Sequence, residues 1–142
     1  MSIDAGSFFE EMPQALPLYH AFAERILLEY PNAQVRIQKS QISFFDRHPF
    51  AYVWLPIRKM KNRPDVYMIL SFGLTRQLDN PRIVEVAEPY PHRFTHHLII
   101  QNQSEIDEKL MNWISEAYYV ARSDNHGTVY SEIQRPDRHG TV

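Results

Sequence analysis

Cysteine is absent from the 142 residues, which removes disulfides, thiolate nucleophiles and every zinc site built on sulfur. An oxidising compartment therefore gains no support. Glycine is scarce, at four, and no Walker loop, dinucleotide-binding fingerprint or nucleophile elbow can be read. Nucleotide-dependent chemistry of the common kinds is not expected, nor is a cofactor. No apolar run approaches the roughly 18 residues that a membrane span needs. The opening stretch MSIDAGSFFEEMPQ carries Asp4, Glu10 and Glu11 but no Lys or Arg, unlike the basic flank of a signal peptide. These absences point to a soluble, cytoplasmic protein. Basic excess is also missing: a net charge of -2 gives no general pull toward nucleic acid or anionic membranes.

Aromatics are plentiful, with 8 Tyr, 8 Phe and 2 Trp, and they supply either large buried areas or stacking platforms. A chain of this length suits one domain, able to bury roughly two-thirds of its unfolded surface. In LPLYHAFAERILLEYP, Tyr19, Phe22, Ala23, Ile26, Leu27 and Tyr30 make one apolar stripe, predicting a helix over Leu16 to Glu29. Pro17 suits its first turn and Pro31 stops it. Before it, DAGSFFEEM favours a short helical turn from Asp4 or Ser7. QVRIQ and QISFF read as strands whose phase slips near Ser40, through a bulge or a turn. DRHP has turn chemistry and leads into the strand FAYVWLP. After a polar connection come VYMILSFGL, the loop TRQLDNP, a short strand RIVEV, a proline-rich turn AEPYPH and the strand RFTHHLIIQ. A second amphipathic helix is predicted from Ser104, with Ser104 as its cap and Asp107 in the first turn. Strands without intervening helices, flanked by two amphipathic helices, predict an α+β domain over 1–122. It has a mostly antiparallel sheet of five to six strands with both helices on one face. A polar C-terminal tail takes up 123–142.

The adjacent pair His96 and His97 is the first place to look for chemistry. Alternation along a strand sends them to opposite faces, so they do not converge on one ion. His96 shares a side with Phe94, Leu98 and Ile100 and is expected to face the core as a hydrogen-bonded histidine. Its chemical alternative is a general base. His97 is expected at a surface or interface, and no metal set is visible. The basic stretch with Arg58, Lys59, Lys61 and Arg63 has the composition of a phosphate-contacting loop. It also has the composition of an ordinary solvated hairpin tip.

More informative are FAYVWLP and VYMILSF, where both alternating sets are apolar. Phe50, Tyr52 and Trp54 oppose Ala51, Val53 and Leu55, and Met68, Leu70 and Phe72 oppose Tyr67 and Ile69. A sheet open to water on one side alternates with polar residues. The face away from the helices is therefore expected to be covered, by a second copy, a ligand or the chain's own ends.

QKSQISF with Lys39 and Phe44, FAYVWLP, FGL, PRI with Arg82, FTHHL, and EIDEKLMNWISEAY with Asp107, Trp113 and Tyr118 occur in that order. Together they resemble the bacterial and archaeal domain-of-unknown-function family 5655, over roughly Phe8 to Tyr119. The resemblance implies a compact α+β module, brings no activity with it, and lends weight to Lys39, Arg82, His96, His97 and Tyr118.

The reading this supports is a non-enzymatic ligand-binding or protein-interaction module that self-associates. A small anionic or aromatic ligand would meet Lys39, Arg82 and His96 or stack on Tyr52, Trp54 and Tyr67. The alternatives are a nucleic-acid-binding accessory protein using the Arg58 to Arg63 loop, and a small enzyme with His96 as general base.

Overall fold

The structure, a computed structural model, describes residues 4–56 and 63–123. Its elements run α1 (Ala5–Phe8), α2 (Leu16–Glu29), β1 (Gln34–Ile37), β2 (Ile42–Asp46), β3 (His48–Trp54), β4 (Met68–Leu74), β5 (Ile83–Tyr90), β6 (Arg93–Ile100) and α3 (Glu108–Arg122). The strands form one antiparallel sheet in the order β1-β2-β3-β4-β6-β5. This is the expected α+β architecture, with six strands.

Helix α2 keeps the limits its apolar stripe predicts, with Pro17 at its start. Phe22 meets Phe44 of β2 edge to face at 5.3 Å. Helix α3 lies across β3 and β4, with Trp113 stacked 6.3 Å from Phe72. Both helices cover the face carrying Ile42, Phe44, Val53, Leu70, Phe72 and Leu98, which are buried in one core.

The turn reading of the phase slip holds, whereas the limits of β5 and of the C-terminal helix are corrected. The phase slip at Ser40 is a turn closing the β1–β2 hairpin, where Gln38 N–H donates to the Gln41 carbonyl. A register shift lies instead at Phe44/Phe45 against β3, so Phe50 and Ala51 both reach the helix-side core. Strand β5 runs on through Pro89 to Tyr90, with Pro89 inside the register irregularity between Ala87 and Tyr90 on an edge strand, a position where proline is tolerated. The β5–β6 turn is then only Pro91 and His92, with His92 at φ 66. Proline followed by a left-handed residue is the pattern of a type II turn.

Helix α3 starts later than Ser104. Its cap is Asp107, whose carboxylate accepts from Leu110 N–H at 3.0 Å, while Asn102 caps a short 3-10 turn over Gln103–Glu105. Ile106, at φ -87 and ψ 73, interrupts the helix between them. Aspartate caps as well as serine does, so Asp107→Ala is expected to cost about 1 kcal/mol. The loss should be visible as faster amide exchange at Leu110 and a lower urea midpoint.

One connection is topologically unusual. Strand β4 ends with Leu74 opposite Phe94, and β5 begins with Ile83 opposite Leu98 on the far side of β6. The intervening chain must double back and pass over β6. It does so on the helix side, with Leu78 buried in the core.

Candidate functional site

The residues picked out from sequence divide between the two faces of the sheet. On the helix face, His96 is fully buried. It stacks on Phe72 at 5.5 Å, and its Nε2 accepts from Leu78 N–H at 2.9 Å. The imidazole thus supplies the acceptor that the β4–β5 crossover needs as it passes over β6. Burial pushes its pKa below the ordinary value, against the opposing pull of the Phe94 and Phe72 carbonyls. The acceptor nitrogen that a general base would use is already engaged.

Arg82 is bound in place too. Its guanidinium donates to the Glu105 carbonyl at 2.6 Å and to Asp107 at 3.1 Å, and it lies 5.7 Å over the Trp113 ring. It ties the start of β5 to the start of α3. Lys39 is exposed in the β1–β2 turn. With β1 four strand spacings from β6, or roughly 19 Å, Lys39 does not join Arg82 and His96 in one pocket. Tyr118 donates to Asp46 at 2.5 Å and stacks on Tyr30 at 4.4 Å, fastening α3 to the β2–β3 turn and to the end of α2.

The opposite face carries Tyr52, Trp54 and Tyr67, and here chemistry concentrates. In register, Arg36, Ser43, Tyr52, Ser71, His97 and Glu85 stand side by side, one from each of the six strands. Trp54 Nε1 donates to Ser71 Oγ at 2.8 Å, and Ser71 Oγ lies 2.6 Å from His97 Nδ1. The Trp54 and His97 rings meet edge to face at 5.7 Å. His97, expected at a surface or interface, is instead fully buried within the chain. Burial, and then the neighbouring Tyr90, raises the Tyr52 phenol pKa. Burial also raises the Glu85 carboxyl, against the opposing pull of Arg63.

This face is covered within a single chain. Tyr52, Trp54 and Tyr67 are 4%, 0% and 1% exposed. Trp54, Tyr67 and Ile69 form a second small core against Phe8, Met12 and Ile99, and Tyr67 N–H reaches the Met12 sulfur at 3.2 Å. The N-terminal segment thus covers one end, as one of the sequence alternatives has it. Apolar area here gives no reason to invoke a second copy.

Of the basic loop, Arg58, Lys59 and Lys61 fall outside the described residues. Arg63 is half-buried and acts on the Glu85 carboxyl. Among the described residues no three of His, Cys, Asp and Glu are grouped to hold a metal ion, and no helix is long and apolar enough to cross a membrane. Sequence reasoning passed over Ser71. Its signal was present, a lone hydroxyl inside the apolar strand VYMILSF.

Fold and site together define a small α+β domain whose sheet buries a hydrogen-bonded Trp54–Ser71–His97 chain on the side away from its long helices. The chain belongs to the family described as Domain of unknown function (DUF5655), whose model it matches over residues 5–121. That range contains the stretch over which the sequence motifs run. Neither a curated protein nor a solved structure matches the chain.

Proposed function

We propose that the protein is a non-enzymatic binding module, and that the face bearing Tyr52, Ser71 and His97 receives a small ligand. One observation carries this reading: the Trp54–Ser71–His97 hydrogen-bonded chain is buried on the face that neither long helix covers. Burying polar groups costs stability even when they are paired, and an apolar replacement of equal shape is often no worse. Few convergent polar groups in an aromatic setting are the usual make-up of a small-molecule site. Lys39 and Arg82 stand apart from this face and take no part in the reading.

A thermal-shift screen of amino acids, nucleosides, aromatic acids and sugar phosphates tests it, run on the wild type and on His97→Gln. A ligand present at about 100 times its dissociation constant stabilises by about 2.7 kcal/mol, a shift of several degrees in Tm. The expected result is at least one such shift that His97→Gln reduces. Shifts that the variant leaves unchanged, or none in the wild type, remove the proposal.

A further inference from the structure

Beside the polar row, on the same face, Gly73, Thr95 and Ala87 stand in register on β4, β6 and β5. The residues flanking Thr95 are thus a glycine and an alanine, which leaves a notch with the threonine as its floor. Tyr52 of β3 and Tyr90 of β5 pack against each other although β4 and β6 lie between their strands. Three strand spacings are roughly 14 Å, so the two rings meet only by reaching across the notch from opposite sides. They roof it. The Arg93 stem runs alongside, since a Cβ on Gly73 would lie 3.9 Å from Arg93 Cδ, and its guanidinium is 5.9 Å from the Tyr90 ring.

Under this roof Thr95 is 1% exposed, and its hydroxyl Oγ1 has no hydrogen-bond partner among the described residues. An unmet buried hydroxyl is destabilising, and valine would fill the same volume without that cost. A strand has no backbone use for threonine here, because its β-branched shape is equally supplied by valine.

We propose that Thr95 is the anchoring hydroxyl of a subsite for the carboxylate of a small aromatic acid, with Arg93 as its counter-charge, the Tyr52 and Tyr90 rings parting to take the ligand's ring between them. The inference rests on the far-face reading above and specifies its ligand class. A hydroxyl donor and a guanidinium at one end match a carboxylate, and two phenol rings match a planar ring. Glu85, at the far end of the row beyond His97, disfavours a second negative charge there. A monoanion therefore fits better than a dianion.

The test uses benzoate and 4-hydroxybenzoate as probes, with benzamide and phthalate as the neutral and dianionic comparisons, read by Tm and by Trp fluorescence on the full chain. Benzoate should bind the wild type and Thr95→Ser, and bind Thr95→Val about 10- to 100-fold more weakly, the loss of one charge-assisted hydrogen bond. Without ligand, Thr95→Val should melt at or above the wild-type temperature. Equal benzoate binding by wild type and Thr95→Val overturns the anchor, while impaired binding by His97→Gln in the same series leaves the far-face reading standing. Tighter binding of benzamide or phthalate than of benzoate overturns the ligand class alone. A ligand-free Thr95→Val that melts several degrees lower shows the hydroxyl to be structural and also overturns the proposal. If none of the probes and none of the wider panel binds the wild type, both readings fall together.

Discussion

Replacing Trp54 by alanine is expected to lower the unfolding free energy by about 3–5 kcal/mol, the range for removing a large aromatic side chain from a packed interior. Against the about 5–15 kcal/mol that holds a typical domain folded, this approaches the limit of what the chain tolerates. The ring is fully buried and belongs to the second core with Tyr67 and Ile69, away from both long helices. The loss therefore measures how much the far face contributes to stability. Trp54→Phe separates the ring from its N–H. It keeps most of the apolar area but leaves Ser71 Oγ without the donor that stands at 2.8 Å, for an expected loss of about 1–2 kcal/mol. In a cycle with Ser71→Ala the two losses should not add, because each variant breaks the same bond. Urea unfolding of the four proteins at one pH supplies the numbers. A Trp54→Ala loss below about 1 kcal/mol would show that the far face is not a packed core.

The helix-side architecture is legible in the sequence because its determinants are local. Leu16 to Glu29 is bracketed by Pro17 and Pro31 and carries an unbroken stripe, so nothing distant is needed to place it. The greasy second face is legible for the same reason: FAYVWLP and VYMILSF are apolar at every position but Ser71. What pairs with what is not local. The Ser71 to His97 contact spans 26 residues and exists only because β6 inserts between β4 and β5, an order that strand patterns alone do not fix. Asp107 is visible in the sequence but Ser104 competes for the same role, and the choice turns on the backbone angles of Ile106. Pro89 reads as a strand breaker until the strand is known to be an edge.

The adjacent histidines divide the work of the molecule. Alternation predicts opposite faces, and the structure gives them opposite surroundings: His96 under the crossover with Leu78, His97 in the polar row with Ser71. The face away from the helices holds the candidate binding groups, and the face beneath them holds the lock on the chain's least regular connection. Substitutions at the two positions should therefore be separable. Changes at His97 should alter ligand response, and changes at His96 should alter stability and its dependence on pH.

The His96 prediction has a definite sign. Burial lowers the folded-state pKa of the imidazole below its ordinary value, whereas the unfolded chain titrates near about 6.5. As pH falls through about 6.5 the unfolded state takes up a proton that the folded state refuses. The unfolding free energy then drops by at most about 1.4 kcal/mol per pH unit, levelling off below the folded pKa. Above about pH 7.5 both states are neutral and this contribution is flat. His96→Leu removes the slope and also leaves the buried Leu78 N–H without its acceptor, for an expected loss of about 1–3 kcal/mol at pH 8. His96→Gln keeps an oxygen that can accept from Leu78. It should recover part of that loss while remaining free of the slope, because its amide does not titrate. Urea titrations of the three proteins between pH 5.5 and 8 decide the matter, since the other histidines are common to all of them. If His96→Gln follows the wild-type pH profile, the crossover is held by something other than this imidazole.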